Sequence, residues 1–339
     1  MQPVISVITP TFNHQNYINE CIDSVRNQSF KKWEMIIIDD GSTDRTLENA
    51  KKYTEVDNRI RIYTQENIGI FRLVETYNKA LSYSNGKYVA IIEGDDNWEP
   101  NKLELQVKLF EENNDMILNW GQARCISYNK KIDYNTYPNV NGKESTYYNN
   151  DPVGNILNLL LYKDCIPALT ILVRKDALIR IGGFTQPLGM PTIDLPTLLQ
   201  LSLVGKFGFI PKTLGSWRVH EWQTTKVYPV ALSEGYFKLV IEFIKKNAEN
   251  KIVKNINIKS VIAFHRRQIA IAYSRSGRYK LVRKKFAKAR QDYLKSIIKG
   301  GFLEPGWMLR SVIGIIFSLL HKNVEGLWAL LGKKTYSDD

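Results

Sequence analysis

The chain has 339 residues, of which 44% are apolar and 24% charged. This composition is typical of a folded globular protein and excludes a long disordered chain, and the length predicts one large domain or two ordinary ones. Three cysteines without CxxC spacing argue against a disulfide framework or a zinc site and favour a reducing cytoplasm. They are Cys21, Cys125 and Cys165. The N-terminus lacks a basic segment followed by a long apolar one, so we expect no signal peptide.

The net charge of +13 is distributed unevenly along the chain. Residues 231–339 contain 22 Lys and Arg and 8 Asp and Glu, a net charge of +14, which leaves −1 for residues 1–230. A basic C-terminal third predicts an anionic partner surface, either lipid or nucleic acid. Helices with ordinary solvated faces are the simpler alternative.

The first part of the chain alternates predicted strands and helices. Short runs rich in Ile and Val predict strands at Val4–Thr9, Glu34–Asp39, Arg59–Thr64 and Lys87–Ile92. Apolar residues at helical spacing predict helices at Tyr17–Asn27, Thr43–Tyr53, Phe71–Ser82 and Asn101–Glu112. For the helix at Thr43–Tyr53, Ser42 or Thr43 is the predicted N-cap. This order predicts an α/β fold with a Rossmann-like, mostly parallel sheet and helices on both faces.

The middle of the chain mixes shorter elements. The pattern predicts strands at Met116–Tyr128 with a bulge at Gly121, Ala168–Val173, Lys206–Ile210 and Leu214–Val219. It predicts helices at Ile156–Leu161, Lys175–Ile181 and Leu195–Leu203. Polar residues 129–151 predict a long loop or a hairpin, and loops of this length are often functional.

From Pro229 onward the sequence predicts basic helices. Ile258–Tyr273 and Tyr279–Tyr293, joined at Ser276-Gly277, predict an antiparallel helical hairpin. Residues 307–331 contain an apolar run that is too short to span a bilayer. Because tryptophans and basic residues flank this run, it predicts either a helix at a membrane interface or a core helix.

Two acidic clusters each follow a predicted strand. They are Asp39-Asp40-Gly41-Ser42-Thr43-Asp44 and Glu93-Gly94-Asp95-Asp96. In open α/β sheets the C-terminal ends of the strands border one ligand-binding crevice. Because clustered carboxylates repel each other, the pattern predicts a divalent cation that carries the phosphates of a nucleotide. A helix cap at the first cluster and a solvated turn at the second are the simpler alternatives.

Several motifs in linked order resemble those of family 2 glycosyltransferases, over roughly residues 3–225. They are Ile5–Asn13, Gln28–Glu34, Asp39–Asp44, Asn67-Ile68-Gly69, Asn78–Leu81 and Asp95–Pro100. The resemblance implies a GT-A fold, a nucleotide-sugar donor and inversion at the anomeric carbon. It predicts a glycosyltransferase domain at 1–225, with a donor-binding half at 1–115 and an acceptor-binding half at 116–225. A helical basic region follows at 226–339.

The resemblance also implies roles for individual residues. Contacts to the nucleotide sugar are implied for Thr9, Pro10, Thr11, Asp39, Asp40, Asn67, Glu93, Gly94 and Arg218. Glu93-Gly94-Asp95 occupies the place of the DXD motif, which implies Mn²⁺ or Mg²⁺ held by Asp95, with Glu93 and His220 as further ligands. Because Glu93 replaces the commoner Asp and has a longer side chain, a sugar or ribose hydroxyl is the alternative partner for Glu93, and the diphosphate is the alternative for His220. A strand-to-loop exit for Thr9–Thr11 and a packing role for His220 remain alternatives.

An inverting transfer needs a base that accepts the proton of the attacking hydroxyl. The family places this acid after a GGF-type turn, which Gly182-Gly183-Phe184 matches, so the resemblance implies Asp194 as the catalytic base. A helix N-cap is the alternative for Asp194. Many relatives have a basic residue where Tyr77 stands, and Arg72 or Arg218 would then have to contact the diphosphate.

The sequence therefore predicts a metal-dependent inverting glycosyltransferase. Its expected substrates are a nucleotide sugar, UDP-linked by preference, and a hydroxyl of a glycan or lipid-linked saccharide in cell-surface polysaccharide synthesis. We expect it in the cytoplasm, with the anionic inner face of the plasma membrane as a second option, and expect no nucleic-acid partner. A non-enzymatic binder of nucleic acid or anionic surfaces is one alternative. A nucleotidyltransferase is another, but Thr9–Asn16 lacks the Gly-rich basic loop that it requires.

Overall fold

A computed structural model provides the structure of this chain and describes residues 2–127, 133–140, 145–220, 223–300, 304–322 and 324–325. The chain forms two compact units, residues 1–223 and 224–339. The functions that the sequence assigns to 1–115, 116–225 and 226–339 remain predictions. Parts of the predicted segments 116–128, 129–151 and 307–331 lie outside the described residues.

The first unit is built on one twisted sheet. Its strands are β1 Ile5–Thr11, β2 Trp33–Asp39, β3 Ile60–Thr64, β4 Tyr88–Ile91, β5 Asn97–Trp98, β6 Met116–Ser127, β7 Asp133–Tyr137, β8 Leu172–Arg174 and β9 Lys206–Val219. Within the described residues the order is β3-β2-β1-β4-β8-β6-β9-β5, and β7 pairs with β6 as a hairpin. The first four strands are mutually parallel, and β8 is antiparallel to both of its neighbours. The predicted α/β fold with a mostly parallel sheet is confirmed.

Helices cover this sheet because their apolar residues recur on one face. They are α1 Ile18–Arg26, α2 Thr46–Val56, α3 Leu73–Ser82, α4 Lys102–Glu112, α5 Leu157–Leu160, α6 Lys175–Arg180 and α7 Asp194–Leu201. In α1 the buried residues Ile18, Cys21, Ile22 and Val25 follow the spacing of a single helix face. Every residue of β1 and β2 is buried, as expected for central parallel strands.

Three local predictions for the first unit differ from the structure. The two short strands predicted after Lys206 form one strand, β9, because register shifts opposite Gly121 and Gln122 absorb the irregularity around Pro211. Residues Ala168–Thr170 form a 3-10 turn before β8. Helix α2 begins at Thr46 and neither Ser42 nor Thr43 caps it, since the Asp44 carboxylate accepts the Thr46 N–H at 2.9 Å.

The second unit is helical. Its helices are α8 Thr224–Val227, α9 Pro229–Lys246, α10 Lys251–Lys254, α11 Ile258–Val282, α12 Phe286–Gly300 and α13 Pro305–Leu319. The turn predicted at Ser276-Gly277 is wrong, because α11 continues to Val282 and the chain turns around Lys284, whose φ is 58°. Gly277 lies where a Cβ would meet the Tyr293 ring at 2.8 Å, so the glycine permits close packing and not a turn. None of the helices in the described ranges has the length and apolarity needed to cross a bilayer.

Candidate active site

The predicted nucleotide-contacting residues lie at the C-terminal ends of three adjacent parallel strands. Thr11 of β1 pairs in register with Asp39 of β2. The turn after β4 lies against β1, where the Gly94 N–H donates to the Pro10 carbonyl at 3.2 Å. A Cβ at Gly94 would collide with Thr11, so this close approach requires glycine. The fold thus brings together Thr9–Thr11, Asp39-Asp40 and Glu93–Asp96, although they are far apart in sequence.

The neighbouring acids Asp39 and Asp40 make different contacts. Asp39 is buried; its Oδ2 accepts from the Ser42 N–H at 3.2 Å and the Thr64 hydroxyl at 3.3 Å, whereas its Oδ1 has no hydrogen-bond partner. Thr9 Oγ1, in the adjacent strand, is buried and unpartnered as well. A buried polar atom without a partner is costly, so both atoms are candidates to bind a ligand.

Asp40 organises the loop that follows β3. Its carboxylate accepts from the Gln65 amide at 2.8 Å and from the backbone N–H groups of Ile68 and Gly69 at 3.2 and 3.1 Å. The Asn67 amide donates to the Asp40 carbonyl at 2.9 Å. The resemblance implied the same role for both acids, but these contacts make Asp39 the better candidate for ligand contact and Asp40 the support for the Asn67 loop.

Asp95 is the acidic residue with the most suggestive geometry. Its carboxylate is buried; Oδ2 lies 3.0 Å from His220 Nε2, whereas Oδ1 has no hydrogen-bond partner. Burial opposes ionisation, but the neighbouring His14 and the hydrogen bond to His220 outweigh it, so the pKa of Asp95 lies below its usual value. Asp95 is therefore ionised, with one oxygen available.

Arg218 supports the turn that carries Asp95. Its side chain is 2% exposed; Nε donates to the Asp95 carbonyl at 2.8 Å and Nη2 to the Glu20 carboxylate at 3.0 Å. The Arg218 backbone N–H donates to Asp96 Oδ1 at 2.9 Å. The implied contact between Arg218 and the diphosphate stays a prediction. The observed contacts of the buried Arg218 stabilise the turn that contains Asp95 and Asp96.

The remaining acids of the cluster resist ionisation. Burial, and then the charge of Asp95, raise the pKa of Glu93 to about 7, and the same two causes raise the pKa of Asp96 well above its usual value. Crowded carboxylates whose pKa values rise in this way are stabilised by a cation.

The residues present fit a divalent cation in part. No group of three His, Cys, Asp or Glu side chains with ligand spacing occurs among the described residues. Asp95, with its unpartnered Oδ1, would supply a carboxylate, which suits Mn²⁺ or Mg²⁺, and His220 would supply an imidazole beside it. A cation held by few side chains takes its other oxygens from substrate phosphates and water. Glu93, the third predicted ligand, accepts a hydrogen bond from the Tyr77 hydroxyl at 3.0 Å.

Asp194 begins α7 at the edge of an apolar cavity of about 20 Å³. Burial, then the charges of Asp164 and Glu93, raise the pKa of Asp194 well above its usual value. The N-cap position belongs to Ile193, so the N-cap interpretation of Asp194 does not fit. The preceding Gly182-Gly183 turn has positive φ angles of 89° and 91°, and the Asn78 amide clamps it through two hydrogen bonds to the Phe184 backbone.

Comparison with known proteins supports the assignment from motifs. The family model described as "Glycosyl transferase family 2" matches residues 6–163. TuaG of Bacillus subtilis, named for teichuronic acid biosynthesis, is 43% identical over 112 residues, which cover 33% of this chain and 43% of TuaG. The Escherichia coli enzyme WfgD, named as a UDP-Glc:α-D-GlcNAc-diphosphoundecaprenol β-1,3-glucosyltransferase, is 31% identical over 141 residues, 39% of this chain and 54% of WfgD. The aligned part thus spans about half the length of these relatives.

Residues 6–163 of the chain are thus similar to glycosyltransferase family 2. These matches support the predicted family and the predicted enzyme class.

Solved structures confirm the predicted GT-A fold. S. aureus TarS residues 1–349 in complex with UDP-GlcNAc superposes with a TM-score of 0.58 at 16% identity, covering 97% of this chain and 92% of that one. The mannosyltransferase PcManGT from Pyrobaculum calidifontis, in complex with GDP-Man and Mn²⁺, gives a TM-score of 0.53 at 15% identity and covers 94% and 88%.

Two residues of this candidate site were given no role in the sequence analysis. Tyr77 is fully buried and lies between the two halves of the site, since its hydroxyl donates to Glu93 and its ring meets Phe184 edge-on at 5.1 Å. His14 lies beside Asp95, and its Nδ1 is 3.2 Å from the Thr11 hydroxyl. The only sequence signal was position: Tyr77 precedes the Asn78 motif and His14 follows the end of β1. Arg72, considered as a substitute for the missing basic residue, pairs with Glu75 at 2.7 Å on the surface.

Proposed function

We propose that this protein is a metal-dependent inverting glycosyltransferase that uses a nucleotide sugar, UDP-linked by preference. The observation that carries the proposal is the ionised Asp95 with a free Oδ1, set beside His220 and among acids whose pKa values are raised. A diphosphate brings further negative charge, so this site requires a cation to hold it. Mn²⁺ or Mg²⁺, when bound by Asp95 and His220, would supply Lewis-acid stabilisation of the leaving nucleotide.

The strand ends would hold the nucleoside. Asp39 Oδ1 and Thr9 Oγ1 are hydrogen-bonding atoms without partners, close to where β1 and β2 end. An acceptor of this kind can bind a base N–H or a ribose hydroxyl, as the acid after a strand does in dinucleotide-binding folds. Asp40 would act indirectly, by fixing the loop that contains Asn67.

Asp194 would serve as the base in the transfer. In an inverting reaction the acceptor hydroxyl attacks the anomeric carbon from the face opposite the leaving group, and its proton passes to a nearby carboxylate. A raised pKa makes Asp194 a stronger proton acceptor once it is ionised. Glu93, which Tyr77 orients, would accept a hydrogen bond from a sugar hydroxyl.

The names of the relatives support our choice of donor and acceptor. TarS was solved with UDP-GlcNAc and WfgD is named for a UDP-Glc donor and a lipid diphosphate acceptor, whereas PcManGT was solved with GDP-Man. We therefore favour UDP over GDP. We also favour a glycan or lipid-linked saccharide of a surface polysaccharide as acceptor, reached at the inner face of the plasma membrane.

The test is donor hydrolysis by the full chain, screened over UDP-, GDP- and dTDP-sugars with Mn²⁺, with Mg²⁺ and with EDTA. We expect release of UDP from at least one UDP-sugar, and loss of that release in EDTA with recovery when Mn²⁺ is restored. Equal rates with and without metal would reject the metal role. Hydrolysis restricted to GDP-sugars would reject the UDP preference but leave the reaction class standing.

A further inference from the structure

Helix α13 exposes large apolar side chains on the face where an ordinary surface helix exposes polar ones. After its first two residues, its exposed side chains are large and apolar, with exposures between 40% and 61%. They are Leu309, Val312, Ile316 and Leu319, with Leu320 directly after the helix. At 3.6 residues per turn these five side chains fall within an arc of about 100°. A helix that packs on a soluble core normally turns such a stripe inward.

The opposite face of α13 is small and partly polar. Its buried residues are Ser311, Gly314 and Ser318. Ser311 Oγ lies 3.0 Å from both Ser274 Oγ of α11 and Ser296 Oγ of α12. Gly314 lies so close to the Tyr293 ring that a Cβ would collide with it. Specific contacts thus hold α13 in this orientation, which keeps the apolar stripe outside.

Basic and aromatic side chains lie at both ends of the stripe. At the start of α13, the guanidinium groups of Arg275 and Arg310 lie 5.4 and 4.4 Å from the centre of the Trp307 ring. Near its end, Arg290 donates to the Ser318 carbonyl at 3.2 Å, and the Phe286 ring meets His321 at 4.8 Å. Phe286 directly follows the exposed basic turn Arg283-Lys284-Lys285.

We propose that this α13 face is a docking surface for an anionic lipid bilayer. An exposed apolar stripe flanked by cations and a tryptophan is the pattern of helices that lie in a membrane interface. Residues 258–300 carry 13 Lys and Arg against one acid, Asp292, and this charge suits a leaflet rich in anionic lipids. A second copy of this chain would bring the same positive charge and is disfavoured.

The inference deepens the proposed function, because a lipid-linked acceptor would lie at such a surface. Docking is measured without transfer, so either conclusion can fail alone. A chain with active donor hydrolysis but no vesicle binding would reject only the docking surface. A chain that binds vesicles but hydrolyses no donor would reject only the enzyme.

The experiment is vesicle flotation with the full chain. Vesicles of phosphatidylcholine alone are compared with vesicles that contain roughly one-third phosphatidylglycerol. We expect binding to the anionic vesicles, weakened by salt, and little binding to the neutral ones. The double variant Ile316→Ser/Leu320→Ser should lower the partition coefficient about tenfold or more, since apolar burial and charge act together. The control Val56→Ser/Ile179→Ser changes two apolar residues of the first unit, 70% and 60% exposed, and should bind as the unaltered chain does.

Sedimentation velocity and DNA filter binding complete the test. Wild-type protein that ignores anionic vesicles, or a double variant that binds them equally well, would overturn the proposal. If the wild-type protein is an oligomer, the double variant is a monomer and neither binds vesicles, the partner of the α13 face is a second copy of the chain. Tighter binding to DNA than to vesicles, unaffected by Ile316→Ser/Leu320→Ser, would assign the basic surface to nucleic acid instead.

Discussion

The two compact units arrange charge in opposite ways. In residues 1–223 the acids Glu93, Asp95 and Asp96 are crowded together, and burial and then the charge of Asp95 raise the pKa values of Glu93 and Asp96. In residues 224–339 most basic residues of α11 and α12 lie on exposed helix faces, where water screens them. The first arrangement is unfavourable unless a specific cation is bound, whereas the second is tolerated with no partner.

This difference indicates what kind of ligand each unit suits. A buried acidic cluster selects a small, highly charged ligand, because the energy gained depends on a few short contacts. An exposed basic surface around an apolar stripe suits an extended anionic partner. Its affinity for that partner falls as the salt concentration increases. The predictions below test this division, in order of their expected effect on sugar transfer.

Asp95→Asn should have the largest effect. The amide keeps the size of the side chain but removes the charge, so we expect kcat to fall at least a thousandfold and Mn²⁺-dependent donor binding to weaken. Calorimetry of UDP binding with and without Mn²⁺ separates the two effects. Asp115→Asn, an exposed acid paired with Lys206, is the matched control. Near-normal turnover in Asp95→Asn would reject the metal role of this carboxylate.

Asp194→Asn should lower kcat by about 10² to 10⁴ and leave UDP binding intact, because a base is lost while the donor site is kept. The wild-type rate should rise with pH through a range above the usual aspartate value of about 4, since burial raises the pKa of Asp194 and only the ionised form accepts a proton. Asp176→Asn, in the first turn of α6 and exposed, controls for losing an acid at a helix start.

The pH dependence of the Tm of Asp194→Asn is a second test, and its direction can be derived. A group whose pKa is raised in the folded state holds its proton more tightly there, so its contribution to stability falls as pH rises above its unfolded value. The substituted amide does not ionise, and the Tm of Asp194→Asn should therefore exceed that of wild type increasingly above pH of about 5. A Tm difference that stays constant with pH would show that burial of the ionised Asp194 carboxylate does not destabilise the fold.

Tyr77→Phe should reduce kcat roughly tenfold, because a hydrogen bond to a carboxyl group that is only partly ionised contributes about 0.5–1.5 kcal/mol. The hydroxyl is the group that orients Glu93, and the ring that packs on Phe184 is kept. Tyr63→Phe, which removes a hydroxyl near Arg61 on β3, is the control. If both variants have the wild-type rate, Tyr77 has only a packing role.

The sequence predicted the parts of this molecule that local pattern determines. Ile-rich runs such as Met35–Ile38 predicted the central strands, and the acids after them predicted where the site lies. The resemblance to glycosyltransferase family 2 could be inferred from the ordered motifs, and the family model matches the same part of the chain. These inferences succeed because the periodicity of apolar residues, and the position of acids directly after an apolar run, can be read from short stretches of sequence.

The hydrogen bonds and ion pairs between residues far apart in the sequence could not be predicted. Nothing in the sequence indicates that Tyr77 reaches Glu93, or that Arg218 binds Glu20 and the Asp95 backbone rather than facing outward. Such pairs depend on tertiary approach across many residues. The turn wrongly predicted at Gly277 has the same cause, since a glycine that permits a turn and a glycine that permits contact with Tyr293 look alike in sequence.

Gly314→Ala should leave donor hydrolysis unchanged and affect only the second unit. The added Cβ would collide with the Tyr293 ring, and overpacking of this kind costs about 1–3 kcal/mol of stability. Gly306→Ala, near the start of the same helix, meets no atom within 4 Å, so it should be neutral or slightly stabilising because alanine favours helix. Urea denaturation followed by circular dichroism measures both. Equal stability of the two variants would mean that α13 does not pack on Tyr293, and the outward orientation of its apolar stripe would lose its structural basis.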